Sequence, residues 1–427
     1  MVVIAYPWHD SNKGDAAILE GILTQLRVSC GFAGQFELIP CVDPGCDLGA
    51  GMLRHNTRQW DIAVRPPSVP AFPKRKLEWS WRIPRALIKL AAPRFVPSRP
   101  DEAAIERSDG VILTGGLYLA FPHTKTLRPP FRLFAYLYPA FYAKRLGKPV
   151  VFWGHSLGPF QNKLSQILMQ FALQDTVVIA REGMSAELAR KLAKGKARIV
   201  VAPDAAFAVS PQPSSLIDGF LEHRELNGKK FIVFAPRGLR GYGWSADAER
   251  RYLEHLASVA KGELSKGHRV VFVAHTQGPT IDEDDRLILQ ELRSLLRDEE
   301  VDWFGLDEDP SPRELAYLYS KASIVIATRF HGAVLSILGG TPTVAIPYFG
   351  TKTQGFFADM GLQDFVVQVD DGNFGEQLSK ILEHIWRDYE GVKEQFTQVA
   401  QKSKAMLRRI TVEEVCSALG SHESKGI

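Results

Sequence analysis

The run Ser323–Thr328, rich in β-branched residues, is followed at once by Arg329, Phe330, His331 and Gly332, then by an apolar helical stretch closed by Gly339 and Gly340. Two cationic or hydrogen-bond-donating side chains thus stand at a helix amino terminus, where free backbone N–H groups and the positive dipole end favour an anion. The dipole lowers the pKa of an empty-site His331, whereas a bound phosphate would raise it and make the imidazolium a proton donor. Downstream, Tyr348-Phe349-Gly350-Thr351-Lys352 adds the amine of Lys352 after another strand end. The chemistry this pattern suits is the binding of a phosphate- or carboxylate-bearing substrate, with acid catalysis at His331.

Further groups stand at other strand ends. Ser11-Asn12-Lys13-Gly14-Asp15 joins the first strand to an amphipathic helix and offers backbone N–H groups, with Asp15 a candidate base; Asn12 and Asp15 equally suit helix capping. Gly115 and Gly116 follow a strand ending at Leu113, and Gly154-His155-Ser156-Leu157-Gly158-Pro159 follows Val150–Trp153. Glycine there permits a tight turn or close approach of a ligand. Arg181 follows Thr176–Ala180 and could grip an anion through its planar fork, or simply pair with Glu182. Asp204 follows Arg198–Ala202 in the same manner, and Arg237 lies just past Phe231–Ala235. Asn12, Gly14, Gly115, Gly116, His155, Ser156, Asp204 and Arg237 complete the candidate set around Asp15, Arg181, Arg329, His331 and Lys352.

The elements needed to position them read as alternating strands and helices, hence α/β with mostly parallel sheets. Residues 1–210 form an amino-terminal Rossmann-like domain, with Ile18, Ile22 and Leu26 on one face of its first helix. Residues 64–100 interrupt it with a basic, proline-rich insert and a short helix near Arg82–Leu90. A linker-like stretch near 210–228 precedes a second Rossmann-like domain, 228–372, and a helical tail, 373–427. Ligands of such sheets bind outside the strands' carboxyl ends, so the site is expected in an interdomain cleft.

The 427-residue chain is long enough for two cores. Its 45% hydrophobic and 23% charged content excludes a disordered chain. Cys30, Cys41, Cys46 and Cys416 have neither metal-site spacing nor disulfide-scaffold density, which fits a reducing cytoplasm. No signal peptide and no membrane span of about 18 apolar residues is evident, so membrane contact would be peripheral. Net charge is +4, yet residues 65–99 hold nine Lys or Arg against Glu78 alone, a local +8. With Trp79 and Trp81 beside it, that charge suits an anionic membrane surface, although nucleic acid could use the same charge; a solvated loop packed on its own domain is the plainer alternative.

Taken in order, these motifs resemble the polysaccharide pyruvyl transferase family over most of the chain. The matching pieces are Asn12–Asp15, Gly115-Gly116, Gly154–Pro159, Arg181-Glu182, Pro203–Phe207, Arg329–Gly332 and Gly340-Thr341-Pro342 through Tyr348 and Lys352. Leu117 stands where the family often has a third glycine, and the insert is longer than in a compact member. The resemblance implies a fold similar to the GT-B glycosyltransferases and transfer of pyruvate from phosphoenolpyruvate to a sugar or lipid-linked glycan as a ketal. It implies no metal and no organic cofactor, and because acceptors of the family are often lipid-linked glycans it favours an anionic membrane surface, and no nucleic acid, as the partner of the basic insert. Arg181, Arg329 and Lys352 would bind the donor, His331 would act as acid and Asp15 as base. A nucleotide-sugar glycosyltransferase would share the fold and anion site, and a non-catalytic carbohydrate-binding protein is a third reading.

Overall fold

The computed structural model describes residues 1–5, 8–43, 53, 55–116, 118–119, 128–348, 352–369 and 373–420. The chain divides into two compact units, each built on its own parallel sheet.

The first unit comprises Met1–Asp10, Ile18–Ala208 and Met406–Ile427. Its strands are β1 (Val2–Ala5), β2 (Phe36–Ile39), β3 (Ile62–Val64), β4 (Gly110–Gly116), β5 (Val150–His155), β6 (Val177–Ala180) and β7 (Arg198–Val201). They pair in the order β3-β2-β1-β4-β5-β6-β7. Val-Val-Ile-Ala in β1 and in β6 is buried almost throughout, as expected of parallel strands covered on both faces. Ile18, Leu19, Ile22, Leu23 and Leu26 of the helix Lys13–Val28 are all buried, so the apolar face read from spacing is the face removed from water.

β4 and β5 run two to three residues further than the sequence suggests, taking Gly115, Gly116 and His155 into the sheet. Gly115 is needed because a Cβ there would meet the backbone of Trp153 and Gly154 on the neighbouring strand.

The insert is built structure. A short 3-10 turn (Lys76–Glu78) leads into the helix Trp79–Ala91, longer than anticipated, and Pro100–Arg107 forms another helix. Asp101 accepts from the Ser68 N–H and hydroxyl at 2.6 Å each, tying the start of the insert to its end. Burial pushes the Asp101 carboxyl up to about 6 against those hydrogen bonds.

The tail expected at 373–427 is divided between the units at Ala405/Met406. Its end is fixed to the first unit by Arg198–Glu414 at 2.7 Å and by a disulfide joining Cys30 to Cys416. That bond corrects the expectation of a reduced chain drawn from the number and spacing of the cysteines; Cys46 lies outside the described residues. A separation of 386 residues leaves no spacing motif to announce it.

The second unit comprises Ser11–Ala17 and Val209–Ala405. Its strands are β8 (Phe231–Ala235), β9 (Arg269–Val273), β10 (Val301–Phe304), β11 (Ile324–Ala327) and β12 (Thr343–Ala345), in the order β10-β9-β8-β11-β12. The order reverses between β8 and β11, which pair with each other; in open α/β sheets that crevice is where ligands bind.

Candidate active site

Four neighbouring strands of the second unit each deliver a polar side chain two or three residues past their carboxyl ends. Arg237 follows β8, His275 follows β9, Arg329 follows β11 and Tyr348 follows β12. Arg237 and Arg329 flank the reversal point itself.

Arg329 is the cap residue of the buried helix Phe330–Ile337, and its backbone is extended as a helix entry requires. Its guanidinium grips Asp285 through Nε at 3.0 and 3.1 Å and through Nη2 at 2.5 Å; Nη2 also donates to the Glu283 carbonyl at 3.1 Å. Burial opposes charge on both partners and pushes the Asp285 carboxyl up. On Arg329 the Asp285 charge and hydrogen bonds outweigh burial, so its pKa rises above the ordinary value. The guanidinium stays cationic. Asp285 in turn accepts from the Thr276 N–H at 2.9 Å, so one carboxylate fixes the loops after β9 and β11.

The first turn of the helix Lys13–Val28 lies in this unit, against His331. A Cβ on Gly14 would overlap the His331 ring and lie 2.7 Å from its Cβ, so only glycine permits this approach. Asn12 caps the helix by accepting from the Gly14 N–H at 3.2 Å, the capping role left open by the sequence. Asn12 also bridges to Thr276, and the buried Lys13 pairs with Asp309. Asp15 is half-buried in the same turn. The Gly14 contact brings the helix start to His331, more than three hundred positions away in the chain.

Arg237 is 2% exposed. It donates to the Tyr348 hydroxyl and to the Gly238 carbonyl at 3.1 Å, and it lies over the Tyr242 and Tyr348 rings at 4.1 and 4.4 Å. Among the described residues it has no carboxylate within ion-pairing distance. An enclosed guanidinium with no directly paired carboxylate, acted on by Asp285 only through its field, is costly, and an anionic ligand would relieve that cost. Arg237 therefore gains weight relative to its place in the sequence reading.

His275 and Asp285 escaped that reading altogether. His275 is fully enclosed, its Nδ1 3.0 Å from the Tyr319 hydroxyl. Burial first, then the charges of Arg329, His331 and Lys13, hold its pKa well below the ordinary imidazole value, so it is neutral. Its position after β9, in Ala274-His275-Thr276, was the available signal.

The remaining candidates form a separate buried network in the first unit. Arg181 donates to Ser156 Oγ at 2.8 Å and to Asp204 at 2.9 Å, and lies 3.8 Å from Glu182. Its charge is thus balanced by Asp204 beside the surface-type Glu182 pairing foreseen from sequence, although neither acid is on the surface. Glu182 also accepts from Ser156 at 3.2 Å. His155 is buried against the Leu113 carbonyl at 3.1 Å, and burial drops its pKa to about 3. The backbone of Lys352 opens the helix Lys352–Asp359, while its side chain, like Leu117, lies outside the described residues.

Comparison with known proteins agrees with this architecture. A protein of amylovoran biosynthesis from Erwinia amylovora, AmsJ, is 24% identical over 96% of this chain and 97% of its own length. Among solved structures, Anabaena Alr3699/HepE in complex with UDP-glucose matches 99% of this chain and 100% of its own at a TM-score of 0.59 and 13% identity. A Rickettsia africae glycosyltransferase matches at 0.59 and 11%, covering 99% of each chain, and a Neisseria meningitidis UDP-GlcNAc 2-epimerase at 0.58 and 10%, covering 98% and 100%. At such identities these structures establish the fold alone: two Rossmann-like units of the GT-B type. The model of the polysaccharide pyruvyl transferase family matches residues 12–349, from the Asn12 cap to the loop after β12 that carries Tyr348, and the chain belongs to that family of transferases.

Proposed function

We propose that this enzyme moves the enolpyruvyl group of phosphoenolpyruvate onto two hydroxyls of a sugar, in a polysaccharide or lipid-linked glycan precursor, forming a pyruvate ketal and releasing phosphate. The observation that carries the reading is Arg237, a buried guanidinium with no carboxylate partner among the described residues, in the same unit as Arg329 and His331. The donor's carboxylate and phosphate are the counter-charges such a site lacks.

In this reading His331 delivers a proton to C3 of the donor while a first sugar hydroxyl attacks C2, with Asp15 accepting the hydroxyl proton. The C2–O bond to phosphate then breaks, phosphate leaving with the bonding pair, and the second hydroxyl closes the ketal at C2. Of the two hydroxyl protons, one is balanced by the proton gained in the new methyl group and the other by that on the released phosphate. Arg237, Arg329 and Lys352 neutralise the donor, and charge developing on the departing phosphate is met by donors already in position. Arg181, expected from the resemblance to bind the donor, is assigned to the acceptor side instead, where its bonds to Asp204 and Ser156 order the loops after β5, β6 and β7. Gly115, Gly116, His155 and Ser156 belong to that same scaffold. The reaction is assigned to the cytoplasm, a compartment in which a disulfide such as Cys30–Cys416 is uncommon.

Calorimetric titration with phosphoenolpyruvate tests the donor site. Wild-type protein should bind it, and Arg237→Met should weaken binding by about tenfold or more, the loss of one charge-assisted contact. Undiminished binding by the variant would remove Arg237 from the donor site.

A further inference from the structure

The helix Trp79–Ala91 turns its charged and apolar residues opposite to the usual sense for a surface helix. Arg82, Arg85 and Lys89 face the body of the first unit. Arg82 pairs with Glu78 at 2.8 Å, Arg85 with Glu102 at 2.6 Å, and Lys89 donates at 2.8 Å to the carbonyls of Pro93 and Val96. The cationic side chains of the helix itself are therefore engaged internally. What faces out is apolar: Trp81, Pro84 and Ile88 recur at i, i+3 and i+7, one stripe of a helix, continued by Leu77 before it and Phe95 beyond it. Ile88 is 56% exposed, Leu77 80% and Phe95 88%. Trp81 is held in place by the guanidiniums of Arg82 and Arg99, each about 5 Å from its ring.

The rim of this stripe is cationic. Lys74, Arg75 and Arg94 are exposed, and exposed Arg145 is fixed beside the helix by its bond to the Leu90 carbonyl at 3.0 Å. Residues 74–95 present no exposed carboxylate, since their one acid, Glu78, is paired with Arg82. Large apolar side chains ringed by cations complement an anionic bilayer, whose headgroups lie just above its apolar interior. A protein partner would be expected to meet acids and neutral polar groups among the rim residues.

We propose that this face seats on an anionic lipid bilayer, with Trp81, Ile88 and Phe95 entering the headgroup boundary and Lys74, Arg75, Arg94 and Arg145 lying on lipid phosphates. The proposal stands on the helix face and does not depend on the reaction assigned above. Its consequence is that an acceptor carried on a lipid would be presented to an enzyme already at the surface.

Flotation of the purified full chain with vesicles tests it, using phosphatidylcholine alone and phosphatidylcholine mixed with phosphatidylglycerol. The wild type should float with the anionic vesicles, less so at high salt, and only weakly with the neutral ones. Ile88→Glu/Phe95→Glu, a change confined to exposed side chains, should weaken partition by about tenfold or more, because each large apolar side chain contributes at least such a factor on burial. Lys74→Glu/Arg94→Glu should abolish the preference for anionic vesicles, with far-ultraviolet circular dichroism of both variants unchanged. Equal flotation by wild type and variants, or flotation with neither vesicle, would overturn the proposal. So would a self-associated wild type that Ile88→Glu/Phe95→Glu converts to monomer without affecting lipid binding.

Discussion

Gly14→Ala is the smallest change that separates a shared site from mere proximity in the fold. The added methyl would overlap Cγ and Nδ1 of His331 and stand 2.7 Å from its Cβ. A ring can rotate away, but a Cβ cannot, so either the first helical turn or the backbone at His331 must shift. Overpacking of this kind costs about 1–3 kcal/mol. Displacing an acid by about 1 Å costs on the order of 100-fold in rate. Turnover, read as phosphate released from phosphoenolpyruvate in the presence of an acceptor, should therefore fall by roughly 100-fold. The Michaelis constant for the donor should change much less, since Arg237 and Arg329 are untouched. Gly262→Ala is the control: its Cβ meets nothing within 4 Å in the helix Ala246–Ser265, so it should stabilise by up to about 1 kcal/mol and leave turnover alone. A Gly14→Ala enzyme with wild-type turnover would refute the placement of the helix start in the active site.

Asp285→Ala leaves Arg329 buried without its counter-charge and should destabilise the second unit by about 3–5 kcal/mol in denaturant unfolding, with the donor constant raised. Stability unchanged from wild type would contradict the ion pair as drawn. His275 is neutral when folded, so below its unfolded pKa of about 6.5 the unfolded chain takes up a proton that the native state refuses. Its contribution to stability is complete above that pH and declines as acidity increases. His275→Gln should accordingly flatten the acid side of the unfolding profile, and parallel profiles would show that His275 titrates normally. Alkylation followed by mass spectrometry should find Cys30 and Cys416 joined after purification without reductant and modified together once it is added, with partial, unlinked labelling of the two in the non-reduced protein as the contrary result.

The alternation of strands and helices was legible because long buried runs such as Phe231–Ala235 and Ile324–Ala327 have no other stable solution. Three strands were not anticipated. β2 carries a buried glutamate, Glu37, neutralised by Arg65 at 2.5 Å, and β10 alternates buried with partly exposed residues around Asp302; both look polar until their partners are known. β3 is short, partly exposed and at the sheet edge. In the site, residues at strand ends followed by a helix were readable one strand at a time. The pairing of Asp285 with Arg329 and the approach of Gly14 to His331 join segments distant in sequence, and only tertiary structure brings them together. The insert was only partly legible for a related reason: its charge can be counted from sequence, whereas the pairing of part of that charge with Glu78, Glu102 and Glu106 cannot.

The central claim, pyruvyl transfer from phosphoenolpyruvate, is tested most directly by following the glycan itself. Purified protein would be incubated with carbon-labelled phosphoenolpyruvate and a panel of sugar acceptors, and the products resolved by nuclear magnetic resonance and mass spectrometry. The account predicts one phosphate released for each pyruvate retained, with a methyl signal and a quaternary ketal carbon on the sugar. Release of phosphate with free pyruvate alone, or transfer of a hexose from a UDP-sugar under the same conditions with no ketal formed, would contradict it.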